Sequence, residues 1–310
     1  MKKLSKLLFL FGLILILIGI VSYRKDTIIT FFKIYLSNES TKVEIDNVND
    51  YYRDYSFKLV QNIKVINPKN YQDLLNTYYS IINSGKNEFT FYCDNKVYSS
   101  CLKDVEEIAN NQTLLSNINN YTHPYNAFNH IETEFDSLGK VTIKIQRAYS
   151  KEYINTINKE VDKIYDEIID NNLSNEENIK KIHDYIINNT KYDTLRSDQN
   201  IKKYHSDIAY GPLFEGYAIC GGYTDLMQLF LEKLNLKSYR VSSHDHIWNA
   251  VEINNKWYHI DLTWDDPVTE DNKDYLSNEY LLITTDKLLN MEKSEHNYNQ
   301  NIFLELKKTN

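Results

Sequence analysis

The spacing of apolar and polar positions along this chain changes several times, and the changes divide it into segments. The first is an apolar run, Leu7 to Val21, entered through Met1, Lys2, Lys3 and Lys6 and left through Ser22, Tyr23, Arg24 and Lys25. A run of that length sits near the lower limit for a helix crossing a bilayer. Its end, Ile20-Val21-Ser22-Tyr23, lacks the small residues of a signal-peptide cleavage site, which favours an uncleaved anchor. Lys2, Lys3, Lys6 and the free amino group outweigh Arg24 and Lys25, so the amino end is expected in the cytoplasm. The bulk of the chain is then extracytoplasmic, held at the cell membrane by one pass, or secreted if the segment is cleaved. Residues 1–25 are read as the signal anchor and 26–42 as a linker. The apolar stretch Ile28 to Leu36 in that linker either lies on the membrane surface or is the first helix after the anchor.

From 43 to 150 the periods are mixed. Phe57, Leu59, Ile63 and Val65 alternate at period two and predict a strand ended by Asn67-Pro68. Asn70 can cap a helix through Leu74, Leu75, Tyr78, Ile81 and Ile82, with Gly85 just past its end. Glu88 to Tyr92 is strand-like, and Cys101 opens a short helix toward Asn110. Ile131–Phe135 and Val141–Gln146 predict two strands joined across Asp136-Ser137-Leu138-Gly139. The segment reads as a small α+β domain without evident chemistry. Its histidines, His123 and His130, have no partner at a recognised spacing and are expected at the surface.

The remainder, 151–310, begins with two helices. Ile154, Ile157, Val161, Ile164 and Ile168 form one apolar stripe, and Ser174 with Glu177 is a capping box ahead of Ile179, Ile182 and Ile186. A third helical run passes through Leu226, Leu229, Phe230 and Leu234 and starts at Cys220. Two alternating segments, His246 to Ile253 and Lys256 to Asp261, flank Asn254-Asn255, a two-residue hairpin turn. In that register Ile253 opposes Lys256, Trp248 opposes Asp261 and His246 opposes Thr263.

Composition narrows the function classes. An apolar fraction of 42% supports a buried core, and a net charge of −8 argues against nucleic acid as a partner, since phosphate binding needs a basic face. Three cysteines are present, Cys93, Cys101 and Cys220. Outside the cytoplasm an odd cysteine signals a free thiol or an intermolecular bridge. Cys93 and Cys101 are close enough in sequence to clip a short loop, which leaves Cys220 unpaired.

Cys220 is therefore the candidate nucleophile. At a helix start, unpaired N–H groups and the helix dipole stabilise a thiolate. Gly221 and Gly222 would let a substrate backbone approach the sulfur. The hairpin places His246 and Asp261 as diagonal neighbours on one face with Trp248. A carboxylate there fixes the imidazole tautomer and leaves the other nitrogen to take a proton from a thiol. The Cys220 N–H is a natural oxyanion donor, and a second could come from Tyr210, Tyr217 or neither.

Gly216-x-x-x-Cys220-x-Gly222-Tyr223, His246-x-Trp248-Asn249 and Trp257-Tyr258-x-x-Asp261-x-Thr263-Trp264-Asp265-Asp266-Pro267 together resemble the three-block signature of the transglutaminase-like superfamily. The resemblance covers about 150 to 290. It implies a papain-like α+β core with a helix-start cysteine packed on an antiparallel sheet, in a bacterial membrane-anchored member. It also implies Cys220, His246 and Asp261 as catalytic residues, without cofactor or metal. The implied chemistry is acyl transfer or amide hydrolysis on an extracytoplasmic protein or peptide, as in transglutaminases and cysteine peptidases. The family includes inactive members, so the alternative is a non-catalytic surface binding module. A zinc site from His244, His246, His259 and Asp261 lacks a recognised spacing and gives the thiol no role. Trp248 and Trp264 are read as packing around the site. Asp265, Asp266, Glu270, Asp271 and Asp274 do not match a calcium loop and read as a solvated acidic loop.

Overall fold

A computed structural model of the protein describes residues 42–267, 277–292 and 294–307, together with Ser22 and Lys25. Apart from Ser22, Lys25 and Lys42, the expected anchor and linker lie outside the described residues. Among the described residues no helix is long and apolar enough to cross a membrane.

The architecture is α+β. Strands β1 (Val43–Glu44) and β2 (Val65–Ile66) pair with each other. Helix α1 (Tyr71–Asn83) starts where Asn70 Oδ1 accepts from the Asp73 N–H at 2.9 Å, and the chain leaves it through Gly85 at φ +77°. Strand β3 (Glu88–Tyr92) is followed by α2 (Cys101–Asn110) and α3 (Gln112–Asn120), then by β4 (Phe128–Phe135) and β5 (Lys140–Arg147). These three strands form an antiparallel sheet in the order β3-β5-β4. Cys93 and Cys101 are bridged, with Cα atoms 5.6 Å apart, and Cys220 is free.

The strand expected from Phe57 to Val65 does not form beyond β2. Its backbone is taken up by side chains instead: Asn76 Oδ1 accepts from the Gln61 N–H (2.9 Å) and Ser80 Oγ from the Ile63 N–H (2.9 Å). Both acceptors stand on α1. Phe57, Leu59 and Val60 are buried without a ladder while Val65 is exposed, so the alternation marked neither pairing nor a single buried face.

Helices α4 (Lys151–Ile168) and α5 (Asn175–Asn189) follow, the second with the Ser174–Glu177 capping box formed in both directions. Strand β6 (Lys191–Tyr192) runs parallel to β7 (Tyr217–Ala218), with α6 (Thr194–Gln199) between them. Next come α7 (Cys220–Lys233), β8 (Ser238–Ser242), β9 (Ile247–Ile253) and β10 (Lys256–Ile260), the strands forming an antiparallel sheet ordered β10-β9-β8. Asn254 and Asn255 both take positive φ (52° and 61°), as a two-residue turn between twisted strands requires, and Lys256 opposes Ile253. The short α8 (Leu262–Asp265) and α9 (Thr285–Met291) complete the order.

The β8–β10 sheet is covered on both faces, which is why its strands are mostly buried. Alternation divides β9 between the two sides: Trp248 and Ala250 join a core with Tyr79, Tyr121 and Phe303. Val251 and Ile253 join Ile157, Ile182, Leu226 and Phe230 of α4, α5 and α7. The boundary placed near residue 150 falls between β5 and α4, and buried polar contacts cross it. Arg240 of β8 donates to Asp225 Oδ1 of α7 (3.0 Å) and to the Asn119 carbonyl (2.7 Å), and buried Arg53 pairs with Glu232. His123, expected at the surface, is buried against Tyr51 and Tyr125, and burial lowers its basicity well below the ordinary histidine range.

Candidate active site

The site is built where the start of α7 meets the β9–β10 hairpin. The N-cap of α7 is Ile219, in extended conformation, and its carbonyl accepts from the N–H groups of Gly222 (3.0 Å) and Tyr223 (3.2 Å). Cys220 is thus the first helical residue, half-buried and free. The fold itself requires the glycines after it to lack side chains. A Cβ on Gly222 would stand 2.4 Å from the Ser206 carbonyl oxygen, and one on Gly221 would stand 3.0 Å from that of Asp207. The Ile219 N–H donates to the same Ser206 oxygen (2.8 Å), so this loop fixes the approach to Cys220.

Two bonds from the second turn of α7 dock the helix on β9 beside His246. Thr224 Oγ1 donates to the Ile247 carbonyl (2.9 Å), and Asn249 Nδ2 donates to the Thr224 carbonyl (3.1 Å). His246 itself is buried, with its ring 5.5 Å from that of Trp248 and nearly parallel to it. Its Nε2 meets Asp261 Oδ2 at 2.5 Å, which leaves Nδ1 for Cys220, whose thiol is near enough to act on the charge of the ring. Burial opposes a charge on this ring, but the field of Asp261, their hydrogen bond and the contact with Cys220 outweigh it and push His246 up to about 10.

This shift has a measurable consequence. A histidine raised in the folded state stabilises the fold fully below its unfolded value of ~6.5 and loses that contribution as pH rises through the folded one. Between about pH 6.5 and 10, unfolding midpoints should fall more in the natural protein than in His246→Gln. Parallel curves would contradict the assignment.

Asp261 closes the line from the sulfur. It follows β10 and caps α8, with Oδ1 accepting from the N–H groups of Thr263 (3.0 Å) and Trp264 (3.3 Å). Thr263 is therefore helical and does not pair with His246 as the extrapolated register expects. Burial opposes ionisation of Asp261, but the charge and hydrogen bond of His246 and the contacts with His296 hold its carboxyl well below the usual carboxylate range.

Sequence reasoning missed His296. It is fully buried, its Nε2 lies 2.9 Å from Asp261 Oδ2 and its Nδ1 lies 3.2 Å from Glu292 Oε2. It stands 35 positions after Asp261, in a segment with no strand alternation or recognised motif to draw attention to it.

The other histidines go elsewhere. His244 is exposed, with a side chain 97% accessible. His259 is buried, accepts from Trp248 Nε1 at Nδ1 (2.9 Å) and meets Thr285 Oγ1 at Nε2 (3.0 Å); burial and the neighbouring His296 bring it down to about 3. The four-residue zinc set considered from sequence is thus dispersed. His246, Asp261 and His296 do place three ligand atoms within 4.8 Å of one another, a donor set able to hold a metal ion, but those atoms are engaged in the hydrogen bonds described.

Asp265 and Asp266 correct the expectation of a solvated acidic loop. Asp265 accepts from Ser277 Oγ (2.8 Å) and the Tyr280 N–H (3.1 Å), and its Oδ2 meets His183 Nε2 at 3.0 Å in the interior. Asp266 is buried and bonded to the Tyr223 hydroxyl. Glu270, Asp271 and Asp274 lie outside the described residues.

Residues 162–262 match the family model of the Transglutaminase-like superfamily. The match runs from α4 to the residue after Asp261 and contains Cys220 and His246 but not His296. No curated protein matches the sequence. Among solved structures, the chain is similar to a TGase at 15% identity and a TM-score of 0.33, covering 44% of this chain and 45% of that one. It is also similar to a proposed cysteine protease from Cytophaga hutchinsonii at 14% identity and a TM-score of 0.27, covering 48% and 65%. The chain thus spans less than two thirds of either relative.

Tyr210 and Tyr217, weighed as second oxyanion donors, are held in aromatic contacts. Tyr217 stacks on Tyr204 at 4.1 Å, and Tyr210 packs against Tyr153, His205 and Phe214. A different tyrosine lies on the strand beside the one that leads into Cys220. Tyr192 sits opposite Ala218 in the β6–β7 pair, and burial, then the nearby Cys220, raise its phenol above the ordinary value.

Proposed function

We propose that the protein is a thiol-dependent acyltransferase or amide hydrolase of transglutaminase-like or cysteine peptidase-like type, acting on an extracytoplasmic protein or peptide. Cys220 attacks the amide carbonyl, His246 takes the thiol proton and returns it to the leaving amine, and Asp261 holds the imidazole. Water or an amine then accepts the acyl group from the sulfur. The observation that carries this reading is the line from the Cys220 sulfur through His246 to Asp261. A buried imidazole with a carboxylate bonded at one nitrogen and a thiol close to the ring is the arrangement that proton transfer from a nucleophile needs. A pure binding module has no need of that line.

Backbone N–H groups at the α7 start supply one oxyanion donor, and Tyr192 is the candidate for the second. Tyr192→Phe should reduce turnover on the order of 10²-fold or more while leaving Cys220 modifiable; unchanged turnover removes Tyr192 from the mechanism. The location is part of the same proposal. The basic-flanked apolar run at 7–21 and the Cys93–Cys101 bridge both fit an anchored protein facing an oxidising compartment.

A thiol-directed acyl probe applied to the full chain tests the function. Mapping should place the acyl adduct on Cys220, and His246→Ala should abolish it. Failure of the natural protein to form an adduct with a panel of such probes supports the binding-module reading instead.

A further inference from the structure

The environment of Asp261 contains more than a two-residue partnership requires. Its Oδ1 is fixed by two backbone N–H groups, but Oδ2 is shared by His246 (2.5 Å) and His296 (2.9 Å). His296 is itself held from every side. Its ring lies against Tyr280 (5.5 Å, nearly parallel), and edge-on to Trp248 (4.9 Å) and His246 (5.4 Å). Its Nδ1 meets Glu292, whose carboxylate also accepts from the Ser294 and Glu295 N–H groups (2.8 and 2.9 Å). The titratable groups around the ring are thus Asp261, Glu292, His246 and Tyr280, with His259 close enough to sense its charge.

We propose that His296 is a positioning residue, which clamps Asp261 Oδ2 in the orientation that His246 uses. The inference rests on the proposed role of His246 and Asp261, and it adds a residue outside the 162–262 family match. The physical argument concerns rotation. A carboxylate bonded through one oxygen to a helix N-terminus can still turn about its Cβ–Cγ bond, and each turn moves the acceptor away from His246. A second N–H donor on Oδ2, from a buried and packed ring, restrains that rotation. It also gives Oδ2 of the buried anion a second partner beside His246. Glu292 fixes the His296 ring from behind, as a group behind a functional ligand does in metal sites. An imidazole donates to both carboxylates only when both nitrogens carry protons.

Two variants of the full-length protein separate positioning from packing. His296→Phe keeps a flat ring in the aromatic cage and removes both N–H groups. His296→Gln can place an amide N–H where Nε2–H stands. Cys220 is the free thiol, so its alkylation rate near pH 6 reports the state of the line. His296→Phe should slow it on the order of tenfold or more, and His296→Gln should restore most of the rate. An unchanged rate in His296→Phe, or equal losses in both variants, overturns the proposal. Nitrogen-15 NMR of histidine-labelled natural protein gives an arm that needs no variant: His296 must carry a proton on Nε2. A ring protonated on Nδ1 alone leaves Asp261 unclamped and overturns the proposal directly. If the natural Cys220 alkylates no faster than a peptide thiol, the catalytic reading fails instead, and the NMR arm still decides whether His296 holds Asp261.

Discussion

Asp261→Asn is expected to lower turnover by about 10⁴, the size of the corresponding change in a serine protease, while the protein still folds. The reason lies in which oxygen is replaced. An asparagine can keep Oδ1 as acceptor for the Thr263 and Trp264 N–H groups, so the cap on α8 survives. The position of Oδ2 then carries an NH₂ group facing Nε2 of both His246 and His296. A donor there favours His246 with its proton on Nδ1, the nitrogen needed to accept from Cys220. The base is present but in the wrong tautomer. Steady-state turnover on a verified substrate, with circular dichroism to confirm folding, checks this. Near-normal turnover in a folded variant would remove Asp261 from the mechanism.

Asp265→Ala should behave in the opposite manner, with a large loss of stability arising away from the thiol. Asp265 lies four positions after Asp261, at the other end of α8, and its carboxylate joins His183 of α5 to Ser277 and the Tyr280 backbone. His183 is fully buried, with Asp184 at its other nitrogen (3.0 Å). Removing the acceptor leaves His183 Nε2 and the Tyr280 N–H without a partner in the interior, and each buried polar group stranded in this way costs about 1–3 kcal/mol. The denaturant midpoint should fall with the slope unchanged. An unfolding free energy within about 0.5 kcal/mol of that of the natural protein, the range of an ordinary surface substitution, would show that the pair is not structural.

These two aspartates mark how far the sequence was legible. Cys220 at a helix start and the register of the β9–β10 hairpin were both readable, because a helical stripe, a two-residue Asn-Asn turn and strict alternation are local signals. That register brought His246 and Asp261 within reach of each other, although the ladder ends at the Asn249–Ile260 pair and the residues beyond it leave the strand geometry. Local signals do not say what a side chain meets across the interior. Asp265 and Asp266 sit in an acidic stretch that reads as solvated, yet both are buried because His183 and Tyr223 reach them from α5 and α7. His296 was invisible for the same reason, its importance arising only when the segment after α9 folds back over Trp248 and Trp264. The glycines beside Cys220 were read only for a substrate's approach, whereas the Ser206–Asp207 backbone itself requires them to lack side chains. The period-two run at Phe57–Val65 failed as a strand because α1 side chains captured the N–H groups a ladder would use.

The central claim is that Cys220 and His246 act as one unit, and alkylation of the natural protein measures this most directly. With Cys93 and Cys101 bridged, iodoacetamide reports on Cys220. Near pH 6 its second-order rate is expected to exceed that of a peptide thiol by about tenfold or more, since the thiolate and not the thiol reacts. His246→Ala should return the rate to the peptide value. Equal rates for the natural protein, His246→Ala and the peptide would contradict the account.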